Sequence, residues 1–223
     1  MLSLPEQKLW AVADGMGGYE AGNIASEMIT SSLKKLKLGG SLNETVNRVE
    51  DNLIEVNNLI LAYADILLDG RILGSTVVTL IIKGRVGICM WAGDSRLYRY
   101  RNHQLEQLTR DHSYVANQVM QGKITAKEAG GHPDSNKITR AIGADSEIYI
   151  DINAFSVQLG DIFLLCSDGL YNKVSKNEIA KTLASLSIKQ AVNELVLKAL
   201  DNGADDNVSV VLILGEPDKS ARR

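Results

Sequence analysis

The most constraining feature of this sequence is a run of four β-rich segments with only short turns between them. Those turns are Lys83-Gly84, Gly93-Asp94-Ser95 and Asn102-His103. Strands this close together pair as antiparallel neighbours, because a parallel crossover needs a dozen or more residues. The run therefore predicts an antiparallel meander and argues against a Rossmann-type fold. Its four segments are residues 75–82, 85–92, 96–101 and 104–108.

Helical patterns surround this run. Ser41 and Glu44 form a predicted capping box at the start of a long amphipathic helix that ends near Leu67. Strands segregated from helices favour an α+β class. The apolar stripe of the long helix has helical spacing and consists of Leu42, Val46, Val49, Leu53, Val56, Ile60 and Leu67. The other predicted elements are strands at 8–13, 148–153, 161–166 and 207–214, and helices at 21–37 (before Gly39-Gly40), at 112–122, and from Thr125, Ser175 and Ser187, the last ending at Asn202-Gly203.

Composition limits the functional classes. The chain has 223 residues, 45% hydrophobic and 23% charged, with a net charge of −3, so we expect a globular chain without a nucleic-acid or membrane partner. We expect a single domain over residues 1–215 and a frayed tail over residues 216–223. We also expect the protein to be a monomer. Cys89 and Cys166 lie in apolar runs and are expected to be buried thiols. With no leader or long apolar run in this sequence, we expect a cytoplasmic location.

Carboxylates follow the apolar strand patterns. Asp14, Asp94 and Asp168 each come at the end of such a run, and Asp205-Asp206 precedes the last one. Any one of them could be an ordinary turn residue. Several carboxylates in one cleft would repel each other, and a divalent cation removes that repulsion. Oxygen ligands without nearby His or Cys favour Mg²⁺ or Mn²⁺ over Zn²⁺.

An ordered set of motifs resembles the metal-dependent serine/threonine protein phosphatases of type 2C, over about residues 10–214. Met16 in the first motif is similar to the bacterial branch. The main motifs are Asp14-Gly15-Met16-Gly17-Gly18, Gly93-Asp94-Ser95-Arg96, Ser167-Asp168-Gly169-Leu170 and Asp206-Asn207-Val208-Ser209-Val210. Lesser matches are Ala21-Gly22 with Ala25-Ser26, Gly74-Ser75-Thr76 and Ile138-Thr139-Arg140-Ala141-Ile142-Gly143.

The resemblance implies a four-layer α-β-β-α sandwich with two antiparallel sheets and a cleft at one end. It implies that Asp14 bridges two Mn²⁺ or Mg²⁺ ions, that the Gly15 carbonyl binds one of them, and that Asp168 and Asp206 complete the first site. Asp94 resembles a ligand of a third, weaker site. A metal-bridging hydroxide would hydrolyse phosphoserine and phosphothreonine on proteins that a Ser/Thr kinase has modified. Residues 108–143 resemble the flap that lies beside the cleft.

The resemblance also implies an Arg and an acidic cluster upstream of Asp14, which the preceding 13 residues lack; Glu6 does not match. We expect either a shortened version of a longer protein or a naturally incomplete chain. In both cases, phosphate and second-metal binding should be weakened and a sheet neighbour left unpaired. Two alternatives stay open: a catalytically weak phosphatase-like binding module, and a hydrolase of small phosphoesters. No substrate-binding residue is assigned.

Several other side chains invite a catalytic interpretation. His103, His112 and His132 fall in or beside predicted turns, and we expect them to be exposed loop residues. Arg96 could contact phosphate, but a structural role is favoured. Trp10 and Trp91 sit inside apolar runs and are expected in the core.

Overall fold

The computed structural model describes residues 1–16, 19–68 and 72–215, and for residues 19–21 it describes the backbone only. The predicted tail at 216–223 and Gly17-Gly18 of the first motif lie outside these ranges. The strands are β1 (Leu2–Leu4), β2 (Leu9–Met16), β3 (Gly74–Lys83), β4 (Val86–Ala92), β5 (Arg96–Arg101), β6 (Gln104–Gln107), β7 (Asp151–Ser156), β8 (Ile162–Cys166) and β9 (Val210–Leu214). The α-helices are α1 (Tyr19–Lys35), α2 (Leu42–Leu67), α3 (Tyr114–Met120), α4 (Ala126–Ala129), α5 (Asp168–Tyr171), α6 (Lys176–Ser185) and α7 (Ile188–Asp201).

The strands form two antiparallel sheets. The first has the order β1-β2-β3-β4-β7 and the second has the order β6-β5-β8-β9. The predicted four-stranded meander is wrong, because the chain changes sheets at Gly93-Asp94-Ser95: β4 pairs with β7, and β5 pairs with β8. A turn between two strands looks the same in sequence whether they pair or belong to different sheets.

The two sheets pack face to face, and helices cover their outer faces. On β2, Leu9, Ala11 and Ala13 point to the α1–α2 side, whereas Trp10 and Val12 point between the sheets. This alternation follows from the period of two along a strand. Helices α5, α6 and α7 pack on the other sheet. The core between the sheets includes Trp10, Val12, Val78, Leu80, Cys89, Trp91, Leu97, Phe163, Leu165 and Ile213. The predicted four-layer α+β sandwich is confirmed.

Helix α2 was predicted well. Ser41 Oγ accepts a hydrogen bond from the Glu44 amide, and the Glu44 carboxylate accepts one from the Ser41 amide, as a capping box requires. Val49, Leu53 and Val56 of the stripe are buried, and so is Ile60. The prediction fails at Leu67, which is 62% exposed.

The structure differs from the prediction in one strand boundary and in two additional short elements. Strand β2 continues through Asp14 to Met16 because it keeps pairing with β3 as far as Gly74. Strand β1 was not predicted and occupies part of the edge that was expected to lack a partner, opposite residues 9–11. The short helix α5 begins at Asp168 and was also not predicted.

No helix in the three described ranges is both long and apolar enough to cross a membrane.

Candidate metal centre

Asp14 is fixed from both sides by hydroxyl groups of β3. Its amide donates to Thr76 Oγ1 (3.3 Å), and Ser75 Oγ donates to its carbonyl oxygen (2.9 Å). Thr76 Oγ1 also lies 2.7 Å from Ser95 Oγ. The same hydroxyl therefore contacts the strand of Asp14 and the residue next to Asp94.

Gly15 lies against helix α1. A Cβ atom added to Gly15 would be 1.8 Å from the Gly22 carbonyl oxygen, far inside contact distance. The two glycines therefore allow strand β2 and helix α1 to approach at the backbone level, immediately after Asp14.

Asp168 and Asp206 come from segments that are fastened to each other. Ser167 Oγ donates to the Asn207 carbonyl (3.0 Å) and accepts from the Ser209 amide (3.0 Å). A Cβ on Gly169 would be 2.5 Å from the Asn207 carbonyl oxygen, so this contact also requires glycine. Asp206 is exposed and accepts from the Asn207 amide (2.7 Å).

Asp94 is buried, with 8% of its surface exposed. It follows Gly93, whose φ of +113° is the backbone conformation that glycine tolerates. A Cβ on Gly93 would lie 2.6 Å from Thr76 Cβ, so the loop packs tightly on β3.

The four predicted carboxylates influence one another electrostatically. Burial, followed by the charges of Asp168, Asp206 and Asp94, raises the pKa of Asp14 to about 7. Burial and the charges of Asp168 and Asp111 raise the pKa of Asp94 to about 6. The pKa of Asp168 is raised by burial and by the charge of Asp206. The predicted set is therefore brought to one end of the sandwich.

The carboxylate oxygens of this set suit a hard divalent cation. Asp168 Oδ2 accepts from Asn172 Nδ2 (3.2 Å), but the buried Asp168 Oδ1 has no hydrogen-bond partner. A buried carboxylate oxygen without a donor is costly unless a cation compensates it. Within the described residues, no three His, Cys, Asp or Glu side chains converge closely enough to hold a metal as they stand. Joint binding of a cation by these carboxylates would thus require small side-chain movements.

Arg96 has a structural contact set, as favoured from the sequence. Its Nε and Nη2 donate to the two oxygens of Asp111, at 3.0 and 2.6 Å, and its Nη1 donates to Tyr98 Oη (2.9 Å). Its guanidinium carbon lies 3.4 Å from the centroid of the Tyr171 ring. The sequence analysis did not identify Asp111 or Tyr171. Residues three positions apart are neighbours on a helix surface, so the spacing between Asp168 and Tyr171 was a possible signal for the tyrosine.

The prediction that His112 is an exposed loop residue is wrong. It is only 4% exposed and stacks on Trp91, with ring centroids 5.9 Å apart. Its Nδ1 accepts from the Gly93 amide (3.1 Å), and its Nε2 lies 3.2 Å from Asp151 Oδ2. His112 therefore anchors the flap to the loop of Asp94. Nothing in the hydrophobic pattern around it signals this burial. Exposed His103 fits the prediction, and His132 is half-buried.

An open cavity of about 790 Å³ lies between the flap and Asp94. Asp94, Arg96 and Tyr171 line one part of it. Apolar side chains from α3 and α4 line another part: Val115, Val119, Met120, Ala126 and Ala129. A space with one polar and one apolar wall therefore lies beside Asp94.

Comparisons with known proteins agree with this architecture. The family model described as protein phosphatase 2C matches residues 2–203. The serine/threonine phosphatase stp of Listeria monocytogenes is 34% identical over 212 residues, which cover 93% of this chain and 84% of that protein. The structure of PppA, a regulatory component of the type VI secretion system in Pseudomonas aeruginosa, superposes with a TM-score of 0.87 and 38% identity, covering 95% of this chain and 87% of that one.

A structure of the catalytic domain of the phosphatase PstP contains two manganese ions; it superposes with a TM-score of 0.81 and 32% identity, covering 92% of this chain and 86% of that one.

Two antiparallel sheets between helical layers, with an acidic cleft at one end, define a metal-dependent serine/threonine phosphatase. The chain belongs to the protein phosphatase 2C family.

Proposed function

We propose that this chain hydrolyses phosphoserine and phosphothreonine on proteins with a centre of two Mn²⁺ or Mg²⁺ ions. Asp14, Asp168, Asp206 and the Gly15 carbonyl would hold these ions, and Asp94 would hold a third, weaker one. One observation carries the proposal: the buried Asp168 Oδ1 has no hydrogen-bond partner, and burial together with the charge of this carboxylate raises the pKa of Asp14.

The chemistry of the substrate explains why this chain would need such a centre. A phosphate monoester dianion repels anionic nucleophiles and hydrolyses extremely slowly in water. When bound, two divalent cations would neutralise the dianion and lower the pKa of a water between them, the nucleophile that the motif resemblance implies. The protein's part is to hold its carboxylates in place through Thr76, Ser75 and Ser167.

The cysteines offer no competing covalent route. Cys89 and Cys166 are both buried, and burial raises the pKa of Cys166 to about 12. A thiol is nucleophilic as its thiolate, so this environment suppresses its reactivity. Both side chains pack in the core, where they act as small hydrophobic groups.

The cavity beside Asp94 supports a protein substrate over a small phosphoester. Its volume of about 790 Å³ greatly exceeds the space that one phosphorylated side chain fills. Flap side chains such as Val115 and Val119 would contact the residues that flank the phosphorylated one. We therefore propose phosphoproteins, made by a Ser/Thr kinase, as substrates.

We further propose that residues 1–215 act as one catalytic domain, as a cytoplasmic monomer. The core between the sheets draws residues from β2 and from β9 (Trp10 and Ile213), so both ends of this range contribute to one packed unit. Light scattering after size-exclusion chromatography should give a mass near 24.3 kDa; a dimer would contradict the monomer.

The decisive experiment measures phosphate release from a phosphothreonine peptide with Mn²⁺, with Mg²⁺ and with EDTA. We expect turnover with either cation and none with EDTA, and we expect Asp168→Asn to abolish it. Asp65→Asn, on the exposed side of α2, is the matched control and should be fully active. A chain that binds Mn²⁺ and phosphopeptide without turnover would be the phosphatase-like binding module instead.

A further inference from the structure

A tyrosine connects two of the carboxylate-bearing segments. Tyr171 ends the helix that Asp168 begins, and its hydroxyl donates to the carbonyl oxygen of Asp94 at 3.0 Å. The two residues are 77 positions apart in sequence. Helix α5 thus carries one carboxylate of the cleft at its start and contacts the backbone of another from its end.

The tyrosine is itself held in place. Arg96 lies over its ring, 3.4 Å from the centroid, and the bidentate pair with Asp111 fixes the guanidinium. A cation over an aromatic face is attracted by the ring quadrupole, and it also limits rotation of the side chain.

The contact acts on the backbone of Asp94. A hydrogen bond to the Asp94 carbonyl restrains the peptide that follows it, and with Gly93 packed on Thr76 the residue is held on both sides. A restrained backbone limits the directions in which the carboxylate can point. Groups that orient a ligand in this way commonly account for ~10–100-fold in metal affinity or activity.

We propose that Tyr171 is a positioning residue that holds Asp94 toward the third, weaker cation. This inference rests on the proposed function, because Asp94 matters in this way only if the cleft binds cations. Arg96 and Asp111 support the tyrosine, and Asp111 lies next to His112 at the base of the flap.

The test is Tyr171→Phe, which keeps the ring under Arg96 and removes only the hydroxyl. Tyr98→Phe is the matched control, since it removes a hydroxyl that contacts the same Arg96 (2.9 Å) without a described bond to Asp94. Mn²⁺ binding to the full chain is measured by calorimetry, together with amide hydrogen exchange of residues 94–96 in EDTA.

We expect Tyr171→Phe to weaken the weakest Mn²⁺ site about tenfold, to leave the tighter sites unchanged and to speed exchange at residues 94–96. Tyr98→Phe should do neither. In Asp94→Ala, which lacks the weak site, adding Tyr171→Phe should change Mn²⁺ binding no further.

Three outcomes overturn the proposal. If the weak site is lost in Asp94→Ala and unaffected in Tyr171→Phe, the positioning role alone is refuted. If Tyr171→Phe and Tyr98→Phe weaken all sites equally, the tyrosine is structural. If the unmodified chain binds no Mn²⁺, the proposed function fails and this inference fails with it.

Discussion

The carboxyl group of Asp14 lies close enough to that of Asp168 that burial and the charge of Asp168 raise the pKa of Asp14 to about 7. Without a cation, Asp14 therefore holds a proton below about pH 7. The pair comes from different sheets, since Asp14 lies in β2 of the first sheet and Asp168 follows β8 of the second. A divalent cation would replace the proton with a stronger positive charge.

Mn²⁺ should therefore stabilise the folded chain. A ligand at a hundredfold excess over its Kd contributes about 2.7 kcal/mol, which for a domain of this size raises Tm by about 5–10 °C. Asp168→Asn should remove most of that increase, and Asp65→Asn should keep it. Differential scanning fluorimetry with and without Mn²⁺ measures both; equal Mn²⁺ responses in the two variants would contradict the assignment of Asp168.

Without a divalent cation, stability should fall as pH rises from about 4 to about 7. The pKa of Asp14 is about 7 in the folded chain and 3.8 ordinarily, so over this range the folded state binds more protons than the unfolded state. Mn²⁺ competes with those protons, and its stabilising effect should grow with pH.

Thermal unfolding at pH 5 and pH 8, in EDTA and in Mn²⁺, tests this pH dependence. Asp14→Asn is the matched variant, because it removes the titrating group. Its stability in EDTA should depend less on pH than that of the parent chain. Identical pH profiles for the two proteins would show that Asp14 does not cause the effect.

Gly15→Ala should damage both stability and the cleft. The added methyl would lie 1.8 Å from the Gly22 carbonyl, so β2 or α1 must shift, at a cost of roughly 1–3 kcal/mol. Gly39→Ala is the control, since a Cβ there meets nothing within 4 Å. Urea unfolding and Mn²⁺ titration should show losses for Gly15→Ala alone. Normal Mn²⁺ affinity in a clearly destabilised Gly15→Ala would mean that this contact does not position Asp14.

Asp94→Ala should fold normally and turn over slowly. The pKa of Asp94 is raised to about 6 by burial and by neighbouring carboxylates, so removal of its charge relieves repulsion and does not weaken the fold. The tighter Mn²⁺ sites should persist. Circular dichroism, calorimetry and phosphopeptide turnover check these points, and a loss of stability comparable to a core deletion would make Asp94 structural.

His112→Asn should destabilise the fold by about 2–3 kcal/mol, because it removes a buried stack on Trp91 and a contact with Asp151. His103→Asn, at an exposed turn, should stay within about 0.5 kcal/mol of the parent. Burial lowers the pKa of His112, so its neutral form is favoured and the contribution of His112 to stability should be lost as pH drops below 6.5, opposite in sign to that of Asp14. Urea unfolding at pH 7.5 measures both variants, and equal effects would contradict the anchoring role.

Local sequence signals account for much of this molecule. The capping boxes at Ser41, Thr125 and Ser175 are all formed, because each depends on residues only three positions apart. Burial of Trp10 and Trp91 follows from the hydrophobicity of their own strands. The candidate carboxylates could be found because each directly follows or precedes an apolar run.

Contacts between distant residues decided the rest. Whether the turn at Gly93 joins paired strands or two sheets depends on β7 and β8, which come more than fifty residues later. Burial of His112 and the hydrogen bond from Tyr171 to Asp94 depend on residues far away in the sequence, and no local pattern specifies them. The same is true of the buried Asp168 Oδ1, which the fold leaves without a hydrogen-bond partner. The sequence by itself determined which residues could form strands, caps and cation ligands, since these depend on neighbouring residues. Only the tertiary structure decided which of them meet, because sheet pairing and side-chain burial depend on contacts across the whole chain.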